Sequence, residues 1–321
     1  MPLTSTLALA AIPIAFTLER VAPLRPQHKR WIAQSLIRVF YPALILGTLT
    51  LRLSRRQLID LDVLPLLGAA ILGLGYCVGA GLSTFCRFQS SQSERSFRFI
   101  ATLPNYSYLP LVVSELLWGA EGMSYVMLLG IGTDLFLWSL AVPLLSAKDG
   151  KPKTDTFPLR RLWRLVKPLF NPPLIALFLA LLCKTPWADA WQDSLTAPAN
   201  ILAWVGRWTL PLSMFLLGTA LGQPRAQQRE PKAQTWLLLW RLLLSPLLWF
   251  LGLQTWTFLP GPAMGVILLV AGMPGAIVSI VLSEIKDGDP AFASEHVLKG
   301  HLAWLVTGPL WMGLAHLFFP R

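Results

Sequence analysis

Long apolar stretches alternate with short polar breaks along almost the whole chain. Ten of these stretches are long enough to cross a bilayer as helices, since roughly 20 apolar residues span about 30 Å of hydrocarbon. They cover approximately residues 3–24, 33–51, 62–84, 97–117, 122–145, 169–186, 199–222, 235–258, 262–284 and 297–318. The connections between them are too short to hold a soluble domain. The pattern predicts an all-α polytopic membrane protein with ten transmembrane helices.

The amino-acid composition also indicates that most of the chain is surrounded by lipid. Of its 321 residues, 54% are hydrophobic and only 13% are charged, against roughly 25% charged in soluble domains. The lipid bilayer is therefore the first expected partner. We expect neither ATP-driven transport by this chain nor an enzyme, because the sequence contains no phosphate-binding loop, no HExxH and no nucleophile elbow. The three cysteines are too far apart for a disulfide framework or a metal site.

The distribution of positive charge predicts an orientation. Lysine and arginine are retained in cytoplasmic loops, and the connections after the odd-numbered spans hold 19 of them against 5 on the opposite side. Both termini are therefore expected outside the cytoplasm. This bias also accounts for the net charge of +11, so that we expect no nucleic-acid partner.

An internal duplication is indicated by the order of proline markers on either side of the longest polar segment. This segment, residues 146–168, is basic and is predicted to be a cytoplasmic linker between a first five-helix repeat (1–145) and a second (169–321). The matched markers are Pro13 with Pro172 and Pro173, Arg38 and Pro42 with Arg207 and Pro211, Pro110 with Pro274, and Pro143 with Pro309. Because each half has an odd number of spans, the repeats are expected to be inverted, as in many secondary transporters.

Spans four and nine have the features of broken helices. Prolines interrupt both, and polar residues or glycines lie beside those prolines. Irregular backbone at membrane depth is tolerated where it lines a cavity or is buried in protein, and the helix ends it creates can bind ions. The candidate substrate-binding residues are Asn105, Tyr106 and Ser107 with Pro110 in span four, and Met273, Pro274 and Gly275 in span nine.

Asp134 is the remaining candidate. It lies near the middle of span five, where a carboxylate costs about 2.5–3.5 kcal/mol on insertion scales. It is therefore expected to face the interior of the bundle as a proton relay, a cation ligand or an interhelical hydrogen-bond partner. Two other polar residues within spans, Arg241 and His301, are expected at the membrane interface.

Several short motifs resemble those of the auxin efflux carrier family of permeases, within the superfamily of bile acid and auxin-type transporters. Their order and spacing extend over nearly the whole chain. The motifs are Asn105-Tyr106-Ser107-Tyr108-Leu109-Pro110, Asn171-Pro172-Pro173, Leu210-Pro211-Leu212, Leu217-Gly218-Thr219-Ala220-Leu221, Met273-Pro274-Gly275-Ala276, Ala293-Ser294-Glu295-His296-Val297 and Pro309.

The resemblance implies two inverted five-helix repeats, with broken helices four and nine crossing behind the substrate site. It also implies that Asn105, Pro110 and Pro274 correspond to the crossover asparagine and prolines of the family. Relatives often have Gly or Thr at the position of Tyr106. The larger side chain of Tyr106 is expected to narrow the substrate pocket.

The expected function is that of an inner-membrane secondary transporter for small organic anions such as carboxylates, working by an elevator-like movement of the crossover helices. No cofactor is expected, Na⁺ or H⁺ are the candidate coupled ions, and a homodimer is left open. The alternatives are a sodium- or proton-coupled symporter of the bile-acid type and a membrane ligand sensor that does not transport.

Overall fold

The computed structural model describes residues 3–52, 54–145, 170, 172–222, 230–286 and 288–319. Within these ranges the fold is helical and contains no β-strand, apart from one isolated bridge of two residues. The helices are α1 (Leu3–Val21), α2 (Pro26–Ser35), α3 (Tyr41–Arg52), α4 (Arg55–Asp60), α5 (Val63–Ser83), α6 (Ser91–Thr102), α7 (Tyr108–Phe136), α8 (Val142–Leu145), α9 (Pro172–Leu182), α10 (Gln192–Gly206), α11 (Thr209–Gly222), α12 (Pro231–Leu239), α13 (Ser245–Leu253), α14 (Gly261–Ala271), α15 (Val278–Ile285) and α16 (Pro290–Phe318).

Three of the long helices contain a π-helical turn. These turns are Leu36–Phe40 between α2 and α3, Leu137–Ala141 between α7 and α8, and Trp240–Leu244 between α12 and α13. A π-turn inserts one extra residue into an α-helix and is frequent at functional sites. Two of the three turns adjoin the candidate site described below.

Each of the ten predicted windows contains a helix or a pair of helices separated by a break. Four helices in the described part of the chain are long and apolar enough to cross a membrane: Pro26–Arg52, Val63–Ser83, Glu121–Ala141 and Pro231–Leu253. The number becomes five if a pair bent by 87°, Pro172–Leu182 with Pro186–Leu216, counts as one span. The predicted all-helical class is confirmed, whereas the crossing of the membrane by ten helices in two inverted repeats stays a prediction.

The helices pack as two groups. Group one consists of α1, α2 and α3 with α9, α10 and α11, and group two consists of α5, α6 and α7 with α12 to α16. Contacts are more extensive within each group than between the groups. Each group therefore combines helices from both sides of the predicted linker, whose residues 146–168 lie outside the described part of the chain.

Glycines allow close helix contacts within group two. A Cβ on Gly75 would lie 2.5 Å from the Ala101 carbonyl oxygen, and one on Gly132 would lie 1.6 Å from the Pro65 carbonyl oxygen. At Gly119 the backbone has φ 65° and ψ −149°, a conformation that favours glycine. The chain changes direction there inside α7, which separates the regions predicted as spans four and five.

Candidate functional site

The two predicted helix breaks cross each other. One break separates α6 from α7 at residues 103–107, and the other separates α14 from α15 at residues 272–277. Where they cross, the backbone N–H of Asn105 donates to the Pro274 carbonyl at 2.8 Å, and that of Ala276 donates to the Leu103 carbonyl at 3.1 Å. The resulting antiparallel bridge pairs Pro104 with Gly275.

This bridge explains how unwound backbone is tolerated in an apolar surrounding. Proline lacks an N–H and cannot continue the hydrogen-bond ladder of a helix, while any freed backbone group that is buried needs a new partner. Each break supplies partners to the other. We call this structure, residues 103–107 and 272–277, the crossover.

The two crossing segments contain Pro104 and Pro274. The bridge pairs Pro104 with Gly275, and the matching of Pro110 with Pro274 as repeat markers stays a prediction. Pro110 lies beyond the break in the first turn of α7, where an intrahelical N–H donor is not required. Its carbonyl accepts a hydrogen bond from the Ser114 hydroxyl at 2.5 Å.

The side chain of Asn105 is buried, with 2% of its surface exposed, and its amide nitrogen lies 3.4 Å from Nε2 of His301. Nδ1 of His301 lies 2.7 Å from the Val297 carbonyl. Because a carbonyl only accepts, Nδ1 carries the hydrogen and Nε2 accepts from Asn105. This leaves the Asn105 side-chain oxygen and its second N–H to face a ligand.

A small cavity adjoins Asn105 on the side of group one. Both helices that leave the crossover, α7 and α15, begin beside it, since Ser107 and Val278 line its wall. The first N–H groups of a helix have no acceptor four residues earlier, and the helix dipole makes this end electropositive. At α15 the N–H groups of Ser279 and Ile280 donate instead to the carbonyls of Ala276 and Ile277. The cavity thus combines an amide side chain with two helix N-termini, a combination that suits an anion.

Asp134 lies in the interior, as expected, with 3% of its surface exposed. Its Oδ1 accepts a hydrogen bond from the Tyr106 hydroxyl at 2.5 Å, and its Oδ2 accepts one from the Tyr41 hydroxyl at 3.1 Å. Of the three roles expected for Asp134, namely proton relay, cation ligand and interhelical hydrogen-bond partner, the structure shows the hydrogen bond. Tyr106 and Asp134 belong to group two, whereas Tyr41 begins α3 in group one.

A second, somewhat larger cavity lies on the other side of this cluster. Tyr41, Tyr106 and Ser107 line both cavities, and Asp134 lines the larger one. The wall of the larger cavity is otherwise mostly apolar. The tyrosine–aspartate cluster therefore stands between the crossover cavity and an apolar space.

The remaining candidates from span nine are buried in the crossover without lining either cavity. Met273 directs its carbonyl toward Arg241, Pro274 provides the carbonyl that binds Asn105, and Gly275 lies against Ile100 and His296. Ala276, the next residue, lines the crossover cavity. Their structural role in forming the crossover is visible, and their role in binding a substrate remains a prediction.

Two polar residues that were expected at the membrane interface make contacts inside the protein. Arg241 is buried with 1% of its surface exposed, and His301 contacts Asn105, while the depth of both in the membrane stays a prediction. Tyr41 was not singled out at all. The rule that selected Asp134, namely that an ionisable residue inside an apolar span is a functional candidate, would also have selected Arg241.

Comparisons with known proteins identify the family of the chain. A family model described as membrane transport protein matches residues 7–312. A protein of Methanothermobacter thermautotrophicus named uncharacterized transporter is 24% identical over 306 residues, which cover 94% of each chain. The chain therefore belongs to the membrane transport protein family, which is the auxin efflux carrier family, and is a multi-pass membrane transport protein.

Proposed function

We propose that the protein is a secondary transporter that moves small organic anions, such as carboxylates, across the cell inner membrane. In this proposal ten transmembrane helices form two inverted repeats, and both termini lie outside the cytoplasm. The substrate binds in the crossover cavity beside Asn105.

One observation carries the proposal: the N-termini of α7 and α15 and the Asn105 amide meet at one cavity where the broken helices cross. In secondary transporters, the N-termini of half-helices at such breaks bind anionic groups of the substrate. An amide adds an oriented hydrogen bond that a carboxylate oxygen accepts. Tyr106 and Trp138 give the cavity aromatic walls, which suit a substrate with an apolar part.

The division into two groups supports an elevator-like movement. The crossover belongs entirely to group two, while Ile37 and Tyr41 of group one close the cavity from the opposite side. Sliding of group two along group one would carry the bound anion and its binding residues together. Group one would then be the scaffold, and group two the transport domain.

Uptake into proteoliposomes tests the proposal. Purified protein is reconstituted, and a panel of labelled mono- and dicarboxylates is offered with and without an imposed ion gradient. We expect saturable uptake of at least one carboxylate by the wild type. Asn105→Ala removes the amide and Pro274→Ala favours a continuous helix, so that each should lower uptake by about tenfold or more.

The matched control is Asn200→Ala, because Asn200 is exposed on α10 in group one and donates only to the Thr196 carbonyl of its own helix. This variant should transport as the wild type does. Wild-type flux in Asn105→Ala and Pro274→Ala would contradict the site, and saturable binding without flux in either direction would favour the ligand sensor instead.

The ion gradients in the same assay decide the coupling. Asp134 is the residue that we propose to carry a coupled proton, because its carboxylate is buried between tyrosine hydroxyls from both groups. A proton-coupled carrier would follow an imposed pH gradient and lose this dependence in Asp134→Asn. Uptake that follows neither a pH nor a sodium gradient would indicate uniport or exchange.

A further inference from the structure

Arg241 is a buried cation directly behind the crossover. Its side chain has 1% of its surface exposed, and its Nη2 donates to the carbonyl oxygen of Met273 at 3.2 Å. Its Nε and Nη1 have no hydrogen-bond partner among the described residues. No carboxylate in that part of the chain forms an ion pair with it, so that its charge is not neutralised locally.

The backbone around Arg241 is arranged to hold a cation. Helix α14 ends at Ala271, two residues before Met273, and the carbonyls at the C-terminal end of a helix carry partial negative charge. Ser245, one turn beyond Arg241, donates to the Ala271 carbonyl at 3.1 Å. Both side chains therefore satisfy carbonyls that the break between α14 and α15 leaves free.

The position of Arg241 is fixed by the π-turn Trp240–Leu244. The Leu242 carbonyl in this turn accepts a hydrogen bond from Nε1 of Trp311 at 2.8 Å, which ties the turn to α16. Nearby, His296 is fully buried and its Nδ1 pairs with the Gln234 side-chain oxygen at 3.1 Å. Neither Trp311 nor His296 carries a negative charge that could neutralise Arg241, although His296 is close enough to interact electrostatically with it.

Unwound carbonyls at a broken helix are the groups with which secondary transporters coordinate a coupling cation such as Na⁺. Here a guanidinium of the protein itself donates to such a carbonyl. Met273 precedes Pro274, whose carbonyl binds the backbone of Asn105. Two to three peptide units, on the order of 10 Å of chain, therefore connect the guanidinium to the Asn105 amide.

We propose that Arg241 is a tethered cation of the crossover: it fixes the Met273 carbonyl, makes the substrate site electropositive and takes the place of a coupling sodium ion. This inference rests on the proposed transport of organic anions and adds the residue that selects for negative charge. Arg241 acts through the field at the site and through the backbone of residues 273–274. It is a positioning and selectivity residue that does not itself touch the substrate.

The size of the effect depends on the charge of the substrate. A unit charge about 10 Å away, in a medium with an effective dielectric constant near 20, changes the affinity for a monoanion by roughly tenfold. The effect on a dianion is about the square of that factor. This dependence distinguishes an electrostatic role from a general loss of structure, which would affect both substrates equally.

The test uses Arg241→Met, which keeps much of the volume without the charge, and Arg241→Lys, which keeps the charge. Concentration-dependent uptake of a labelled monocarboxylate and a labelled dicarboxylate is measured in proteoliposomes, in sodium-containing and in sodium-free buffer. We expect uptake by the wild type to be independent of sodium. Arg241→Met should raise KM about tenfold for the monoanion and clearly more for the dianion, and Arg241→Lys should stay within about threefold of the wild type.

The control variant is Trp311→Phe, which removes the hydrogen bond to the same π-turn and leaves the charge of Arg241 in place. It should alter KM by less than about twofold for both substrates. An equal KM for Arg241→Met and the wild type overturns the inference. Sodium-dependent uptake by the wild type also overturns it, and this measurement does not depend on the folding of Arg241→Met. If the wild type moves no carboxylate, the proposed function fails and this inference fails with it; in the other cases only the inference fails.

Discussion

The hydrogen bond between Tyr41 and Asp134 joins the two helix groups, and its removal should shift the equilibrium between their arrangements. Tyr41 belongs to group one and Asp134 to group two, and the Tyr41 hydroxyl lies 3.1 Å from Oδ2 of Asp134. If group two slides along group one, this bond breaks. It therefore stabilises the arrangement described here relative to any arrangement in which the groups are displaced.

The size of the shift in this equilibrium follows from the free energy of the lost hydrogen bond. A hydrogen bond contributes about 0.5–1.5 kcal/mol between neutral groups and about 1.5–3 kcal/mol to a charged acceptor, so that about 1.5 kcal/mol lies where the two ranges meet. Loss of about 1.5 kcal/mol changes an equilibrium constant roughly tenfold. Tyr41→Phe should therefore decrease the population of this arrangement about tenfold relative to the displaced one.

The matched variant is Tyr106→Phe. The Tyr106 hydroxyl also donates to Asp134, at 2.5 Å, but both residues belong to group two and would move together. This substitution removes a hydrogen bond to the same carboxylate that lies within group two, and it keeps the Tyr41–Asp134 hydrogen bond between the groups. It should leave the equilibrium between arrangements near that of the wild type.

Spin-label distance measurements in nanodiscs provide the assay. Labels are placed at Ile201 in group one and Leu305 in group two, both of which are exposed, in a background without the native cysteines. The distance distribution of Tyr41→Phe should shift toward a second population, and that of Tyr106→Phe should not. An unchanged distribution in Tyr41→Phe, or an equal shift in both variants, would refute the reasoning.

Two further predictions concern the crossover and the helix packing. His301→Ala removes the acceptor of the Asn105 amide and should raise KM for a transported carboxylate about fivefold, because a buried hydrogen bond contributes about 1 kcal/mol. Uptake kinetics measure this change, and His316→Ala on the exposed face of α16 is the control. An unchanged KM in His301→Ala would argue against the hydrogen bond between Asn105 and His301. Gly132→Ala places a Cβ 1.6 Å from the Pro65 carbonyl oxygen, whereas Gly130→Ala meets no atom within 4 Å. The first should destabilise the protein by about 2–3 kcal/mol and lower its melting temperature in detergent, while the second should not; equal melting temperatures would contradict the packing of α5 on α7.

The sequence was sufficient to predict the features that depend on neighbouring residues. Apolar windows predicted where helices lie, and prolines beside polar residues predicted the two breaks. The cost of a charge in an apolar span predicted that Asp134 faces the interior. Each of these inferences uses only the local chain and the properties of lipid.

The contacts across the molecule could not be predicted in this way. Asn105 and His301 are 196 positions apart, and a window of residues gives the depth of a side chain without the face that it occupies. For this reason the burial of Arg241 and the contact between His301 and Asn105 were not predicted. The pairing of Pro104 with Gly275 could likewise not be predicted, because only the crossing of the backbones shows which residues meet there.

Protection of a single cysteine by substrate tests most directly whether the crossover cavity is the substrate site. Ala276 lines this cavity, so that Ala276→Cys, in a chain whose three native cysteines are replaced by serine, can be titrated with a small maleimide in proteoliposomes. A carboxylate that the protein transports should slow this labelling in a saturable manner, with a half-maximal concentration near its KM. It should not slow labelling of a control at Gln92→Cys, which is exposed in the first turn of α6 and lies outside the predicted spans. Labelling of Ala276→Cys that remains unchanged at saturating substrate would contradict the account.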